Sequence, residues 1–271
     1  MQKITFENSV NGLSATFSTD TPARFLADFD GNSAACTAIT YKPADFDGER
    51  FISANLDAKT ITFTANWYGV SGGKYSLSAA NAFSEELRRV FVPGQMGKLT
   101  WTNGTKTRFI ECRTVEFPVI KRIVFGSFFS AEFKLVADYP YWQGEVHSYV
   151  FDGVYPASRS INLTNSCGVA VPFVFTSTHP YIALALYALV NGKMPRIELL
   201  RGDYSGALKV DTLKCLVTLN GEAANQYLSP QSTFFKLPPG DFEMRMLNVS
   251  GQSQINAGTS LTWHDCYIGV G

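Results

Sequence analysis

Three histidines are all the imidazoles this chain owns: His147, His179 and His264. Acid–base or nucleophilic work needs them beside carboxylates or thiols on a common side. His179 is followed by Pro180, and His264 stands in an alternating run, Leu261 to Ile268, next to Asp265 and Cys266. Neighbours on a strand point to opposite faces, so His264 and Cys266 share one side and Asp265 takes the other. That geometry does not assemble a Cys–His site with its own acid. Neither a His-Glu-x-x-His pair nor a dinucleotide fingerprint occurs, so the spacings that mark zinc proteases and Rossmann domains are missing.

Other reactive residue types read as structure. Gly69 to Ser78, with Gly72, Gly73 and Lys74, has the composition of a phosphate cradle, but it lacks the Walker spacing and reads better as a flexible loop or hairpin tip. Glu85 and Glu86 sit in a segment of helical period and read as a solvated helix start. Cys36, Cys112, Cys167, Cys215 and Cys266 are odd in number, scattered and without a Cys-x-x-Cys pair. They read as buried, reduced small hydrophobes, with neither a disulfide framework nor a zinc site. Trp67, Trp101, Trp142 and Trp263 are able in principle to stack on sugar rings. Each lies on or at the end of an alternating strand, which favours burial in a core or interface. The expectation is no catalytic residue, no metal and no cofactor.

Bulk properties narrow the class further. Lys plus Arg and Asp plus Glu are 23 each, so formal net charge is zero, and charged residues make up only 17%. A protein relying on phosphate neutralisation carries a basic excess, so specific nucleic-acid binding is not expected. Near-zero charge does little to keep copies apart, which suits self-association. Apolar content of 45% is that of a folded protein, rich in Phe (21) and Tyr (12). The first ten residues lack the apolar stretch of a signal peptide. The longest apolar run, Ile182 to Val190, is about half the ~20 residues that a spanning helix needs. Membrane insertion is not expected.

Period-two alternation organises the chain. Phe129, Ala131, Phe133, Leu135 and Ala137 fall on one face of a strand, with Ser130, Glu132 and Lys134 opposite. Ile61, Phe63, Ala65 and Trp67 alternate with Thr and Asn in the same way. Shorter runs lie at Ile4 to Phe6 and Leu13 to Phe17, and Asp28 to Asn32 reads as a turn. One helix is predicted over Asn81 to Phe91, capped by Asn81, with Phe83, Leu87, Val90 and Phe91 as its apolar stripe and Pro93-Gly94 as its stop. Asn103-Gly104 marks a hairpin. The central strand runs into Asp138, Tyr139, Pro140, Tyr141 and Trp142, where Pro140 has no N–H for a ladder and pairing must stop. This break divides the chain into domains 1–140 and 141–271.

The second part contains short strands separated by turns: Ile161 to Leu163, Val169 to Phe175, Arg196 to Leu200, Leu213 to Leu219, Phe234 to Leu237, Phe242 to Leu247 and Leu261 to Ile268. Strands at ~8–12-residue spacing without helices predict an antiparallel β-sandwich. Pro180 to Asn191 fits a short helix or a buried strand equally. The fold class is mostly β, in two domains.

The order of these pieces resembles the distal tail protein family of long-tailed phages, a siphovirus-type tail component. The resemblance rests on the Asp47-Gly48-Glu49-Arg50-Phe51 turn, the Ile61–Trp67 strand, Phe91-Val92-Pro93-Gly94, and Gly97-Lys98-Leu99-Thr100-Trp101. It continues through Ala137 to Trp142, Leu163-Thr164-Asn165, Val171 to Phe175, Leu219-Asn220-Gly221, Leu237 to Gly240, and Thr262-Trp263 with Tyr267 to Val270. Thr178 to Lys193 is longer and more apolar than this pattern. The resemblance implies an N-terminal sheet-plus-helix domain of tail-tube type and an outward-facing galectin-like sandwich. It implies a homohexameric ring at the tip of the phage tail, made in the host cytoplasm. The ring's channel would pass DNA. Its partners would be itself, the tail tube protein, the tail-tip protein, and receptor-binding or baseplate proteins. Gly69 to Ser78 and Asp45 to Phe51 are then candidate contacts. The competing reading is a carbohydrate-binding adhesin whose second half grips a host glycan.

Overall fold

Strand alternation is carried into three dimensions almost residue for residue. The structure, a computed structural model, describes residues 1–32, 34–42, 47, 49–123, 128–151, 158–178, 184–189, 192–200, 206–248 and 258–270. It divides into two units, Met1–Gly144 with Tyr267–Gly271, and Glu145–Cys266.

The first unit holds β1 (Gln2–Asn8), β2 (Ser14–Ser18), β3 (Arg24–Asp30), β4 (Cys36–Tyr41), β5 (Arg50–Leu56), β6 (Lys59–Tyr68), β7 (Val70–Ser71) and β8 (Lys74–Tyr75). Then come α1 (Leu77–Val90), β9 (Met96–Asn103), β10 (Lys106–Thr114), β11 (Val119–Arg122) and β12 (Phe128–Ala137). Seven of these strands close on themselves in the order β6-β3-β2-β1-β9-β10-β12, with β12 returning to β6. Closure disposes of most free sheet edges. One edge of β12 pairs with β6 along its whole length. The other is shared by β10, through Arg113↔Val136 and Thr114↔Leu135, and by β11.

The inward residues of these strands make an aromatic core. Phe63 and Phe133 stack with ring centroids 4.5 Å apart, and Phe17 and Phe91 lie 5.5 and 4.6 Å from Phe133. α1 buries Ala80, Phe83, Leu87 and Val90 against them. Deleting one such buried ring typically costs ~3–5 kcal/mol. Residues facing outward from β6 and β12, Thr62, Thr64, Lys134 and Glu132, are wetter, as the period of two demands.

Local details differ from the sequence reading. α1 starts four residues earlier than predicted: its cap is Ser76, whose Oγ accepts from Ala79 N at 3.2 Å, and Asn81 lies inside the helix. The early start follows from a turn in which Ser76 N donates to Gly69 O at 2.9 Å. A Cβ on Gly69 would lie 2.2 Å from Ala80 N and Ser76 O, so glycine is needed for this approach. Glu85 and Glu86 consequently sit mid-helix, and Glu85 pairs with Arg88. Asp28 to Asp30 is not a turn but the end of β3, which pairs with β6 across a bulge after Leu26. Phe29 anchors it against Trp142, ring centroids 6.1 Å apart. Pairing with β6 outweighs local turn chemistry there.

The expected second domain took in everything after residue 140, yet Tyr267 to Val270 belong with the first unit. Arg108 stacks on Tyr267, 3.7 Å from the ring centroid, and donates to Gly269 O at 2.5 Å. Val270 N donates to Asn32 Oδ1 at 2.8 Å. Lys59, wholly buried, aims its Nζ at the carbonyls of Ile268 and Gly31. Burial pulls the Lys59 amine below its ordinary pKa, against the attraction of Asp30.

The second unit continues from β13 (Trp142–Phe151) through β14 (Ser158–Asn165), β15 (Phe173–Ser177), β16 (Leu184–Ala188), β17 (Arg196–Leu199) and β18 (Leu208–Asp211). β19 (Leu216–Leu219), β20 (Glu222–Ala223), β21 (Gly240–Asn248) and β22 (Thr259–Tyr267) complete it. It has two sheets, β13-β22-β15-β18-β19-β20 and β14-β21-β16-β17. Both bury alternate residues, among them Phe173, Phe175, Leu261 and Trp263 in one and Leu186, Ile197, Met244 and Met246 in the other. Of the ambiguous Pro180–Asn191 stretch, Leu184–Ala188 is a strand between β21 and β17; 180–183, 190 and 191 lie outside the described residues. Two strand assignments change. Leu213 to Cys215 is a turn, with Cys215 at φ +50° and Asp211 Oδ1 accepting from Lys214 N at 3.1 Å, so the strand starts at Leu216. Phe234 to Leu237 contributes only the Val171↔Leu237 bridge. β13 and β18 were not anticipated, β13 because its side chains are mostly polar and half exposed. Among the described residues no helix is long and apolar enough to cross a membrane.

Candidate functional site

Chemistry, if any, should show as convergent titratable groups. Among the described residues, the second unit has one such cluster. Asp265 Oδ1 lies 2.9 Å from His147 Nε2, 3.3 Å from Cys167 Sγ and 3.4 Å from Ser166 Oγ. Cys266 N donates to Cys167 Sγ at 3.1 Å, and Trp263 stacks on His147. The alternation argument separated Asp265 from His264 and Cys266, while His147 and Cys167 come from 118 and 98 residues away. No spacing in the sequence signals that meeting. Its chemistry is structural: burial, followed by the Asp265 carboxylate, pushes the Cys167 thiol up to about 11. A nucleophilic thiol needs the opposite shift. The network instead fastens the Asn165–Gly168 turn to β22. Cys112 is pushed up to about 12 by burial. Cys112, Cys167 and Cys266 are buried as expected, but Cys36 and Cys215 are exposed, because β4 has no buried face and Cys215 sits in a turn.

Gly69-Val70-Ser71-Gly72-Gly73 spells the Gly-x-Ser-x-Gly pattern of hydrolase elbows, which corrects the reading of the sequence as holding no such elbow. An elbow needs a serine on a tight strand-to-helix turn. Here Ser71 belongs to the β7–β8 hairpin, whose turn residues Gly72 and Gly73 have φ of +59° and +78°. Among the described residues, no group of three or more His, Cys, Asp or Glu is placed to hold a metal ion.

The four tryptophans are 0–7% exposed, so none offers a platform for a sugar. The junction residues are anchored within the first unit. β12 ends at Ala137 and β13 begins at Trp142. Asp138 pairs with Arg113, Tyr139 and Tyr141 face each other with rings 5.1 Å apart, and buried Trp142 donates from Nε1 to Gly31 O at 2.8 Å.

What stands out is surface. Among the described residues, β4 and β5 pair only with each other, and all six residues of β4 are exposed. Their hairpin presents Ile39 (43%), Tyr41 (55%), Phe51 (66%) and Ile52 (62%) to solvent. Cross-strand partners share a face, so the Thr40↔Phe51 pair puts Phe51 on one side and Ile39 with Tyr41 on the other. From the sequence, residues 41–50 read as a polar loop with Pro43 and a turn at Asp47-Gly48. Ile39, Tyr41 and Phe51 were visible, but their pairing across a Pro- and Gly-containing link was not. A second feature is concave. Phe25, Tyr68, Tyr75 and Phe128 line a groove of about 530 Å³ with Asp20 and Asn66. Tyr68, Tyr75 and Phe128 touch one another with centroids 5.1–5.8 Å apart. Exposed apolar features of this size mark interaction sites.

Residues 172–267 match the family model of the siphovirus-type tail component, C-terminal domain. Among solved structures, the chain is similar to the SPP1 Dit (gp 19.1) protein, described as a paradigm of hub adsorption apparatus in phages infecting Gram-positive bacteria. The TM-score is 0.66 at 16% identity over 97% of this chain and 99% of that one. Chains of the phage P2 baseplate in its activated conformation match at 8% identity over the full length of both, with TM-scores of 0.56 (calcium form) and 0.53 (strontium form). No curated protein matches the sequence significantly.

Proposed function

We infer that this chain, which carries a siphovirus-type tail component C-terminal domain at residues 172–267, is the structural hub of a phage tail tip. The observation that carries this reading is fold agreement with a hub protein over 97% of the chain, spanning both units. Six copies form a ring through their N-terminal units. The ring joins the tail tube to the tail-tip protein, leaves a channel for DNA, and supports receptor-binding or baseplate components on the outward, galectin-like second domains. The protein works by surface contact and is not an enzyme. It resides in the virion after synthesis in the host cytoplasm.

The physical properties agree with that role. Formal net charge is zero, so copies do not repel, and a chain without a basic excess has no general hold on DNA. The exposed hairpin and the aromatic groove are surfaces that assembly would cover. The adhesin reading loses its main support, because the tryptophans that would stack on sugar are buried. Native mass spectrometry tests the proposal: the expected species has six times the 29.8 kDa chain mass, with a ring visible in negative stain. A chain that stays monomeric at high concentration, and forms no ring with purified tube or tip protein, would sink it.

A further inference from the structure

We propose that residues 267–270 are a strap that completes the first unit only while the second unit is folded, so that the two open together. The basis is the order of the chain. The first unit is Met1–Gly144 with Tyr267–Gly271, and Glu145–Cys266 stands between these two pieces as an insertion.

The chain on either side of the insertion is seated on one short stretch, Phe29 to Asn32. On the entry side, buried Trp142 packs against Phe29 and donates from Nε1 to Gly31 O at 2.8 Å. On the return side, Lys59 Nζ donates to Gly31 O and Ile268 O, and Asn32 Oδ1 accepts from Val270 N at 2.8 Å. Asp30 Oδ1 fixes Asn32 by accepting from its backbone N–H at 3.1 Å. Arg108 adds its contacts to Tyr267 and Gly269 O. The fit is close. A Cβ on Gly31 would meet Phe29 at 2.7 Å and Trp142 at 3.0 Å, and one on Gly269 would lie 2.4 Å from Asn32 Oδ1.

With the second unit unfolded, the strap hangs on a flexible link of more than a hundred residues. The chance of closing such a loop falls as about the 3/2 power of its length, a factor on the order of a thousand. Folding removes that penalty. β13, by which the chain enters the second unit, and β22, by which it returns, are neighbours in one sheet. The folded second unit therefore raises the effective concentration of the strap at Asn32 and Lys59. The coupling is reciprocal: the factor that the folded second unit adds to strap docking, the docked strap adds to folding of the second unit. Strap release also takes Ile268 O from the buried Lys59 amine, so the loss is felt at the start of β6.

The test uses the full chain as wild type, Phe175→Leu and Gly269→Val, with hydrogen exchange read by mass spectrometry across a urea series. In wild type, protection at Val270 should be lost at the same midpoint as in β15 and β18. Phe175→Leu loosens the core of the second unit, where Phe175 is buried, and should move the β15 and Val270 midpoints down together. Gly269→Val pries the strap from Asn32 and alters no residue of the second unit; Gly269→Ala replaces it if that chain fails to fold. Exchange in β15 and β18 should nevertheless quicken at least about tenfold. A strap that only packs locally would keep Val270 protected after β15 has opened, and would leave β15 and β18 at wild-type rates in Gly269→Val. Either result overturns the proposal. Neither bears on the ring reading, which native mass spectrometry tests separately.

Discussion

Lys59 is the place where buried charge, hydrogen bonding and the C-terminal segment meet, and Lys59→Met is the informative change. The methionine keeps the aliphatic stem and its volume but removes the charge and the donors. Two effects oppose each other. The carbonyl of Ile268 loses its charged donor, whereas Gly31 O, at a long 3.4 Å from Nζ, keeps the donor from Trp142 Nε1 at 2.8 Å; an acceptor left without its partner costs about 1–3 kcal/mol when buried. Against this, the amine is pulled below its ordinary pKa, so its charge is on balance unwelcome in the fold, and its removal returns part of that cost. The net expectation is a loss of about 1–2 kcal/mol for Lys59→Met. Lys59→Ala adds a cavity and should reach about 3–5 kcal/mol.

The pH dependence supplies an independent check. With the folded pKa lowered from 10.5, the unfolded chain binds more protons between the lowered value and 10.5. In that window the folded state gains stability as pH rises, by up to ~1.4 kcal/mol per pH unit from this one group. Below the window both states are protonated and the penalty is constant. Urea unfolding of wild type and Lys59→Met, followed by hydrogen exchange in β6 and at residues 267–270, measures the difference from pH 7 to 10.5. The stability advantage of wild type should grow with pH. A difference that is flat, or that shrinks, would refute the account of Lys59 as a desolvated charge, as would equal costs for the Met and Ala variants.

Two further outcomes follow from the geometry. Ser76→Ala should lower the stability of the first unit by about 1 kcal/mol through loss of the cap on α1, whereas Ser76→Asp should be close to neutral, both read from thermal melts. A colorimetric disulfide reagent at pH 8 should label Cys36 and Cys215 quickly in the native protein and leave Cys112, Cys167 and Cys266 untouched, since these three are buried and two have thiols pushed up to about 12 and 11; fast labelling of more than two thiols would contradict the packing.

The local chemistry of the chain determined a great deal by itself. Alternation alone identified β6, β12 and the inward set Ile61, Phe63, Ala65 and Trp67 facing Phe129 to Ala137, because the period of two is a property of the backbone and needs no partner to be read. The helix stripe, the Asn103-Gly104 hairpin and the break at Pro140 are equally local. Tertiary structure decided whatever depended on who pairs with whom. The return of Tyr267 to Val270 to the first unit needs Lys59, Asn32 and Arg108, which lie 161 to 238 residues away in sequence. The closing of seven strands into a barrel, the meeting of His147, Cys167 and Asp265, and the recognition of Cys36–Leu56 as a hairpin with two wet faces are likewise long-range facts. Side-chain pattern reports which face is apolar; it does not report which element covers that face, or whether, as with Phe51, the chain leaves it bare.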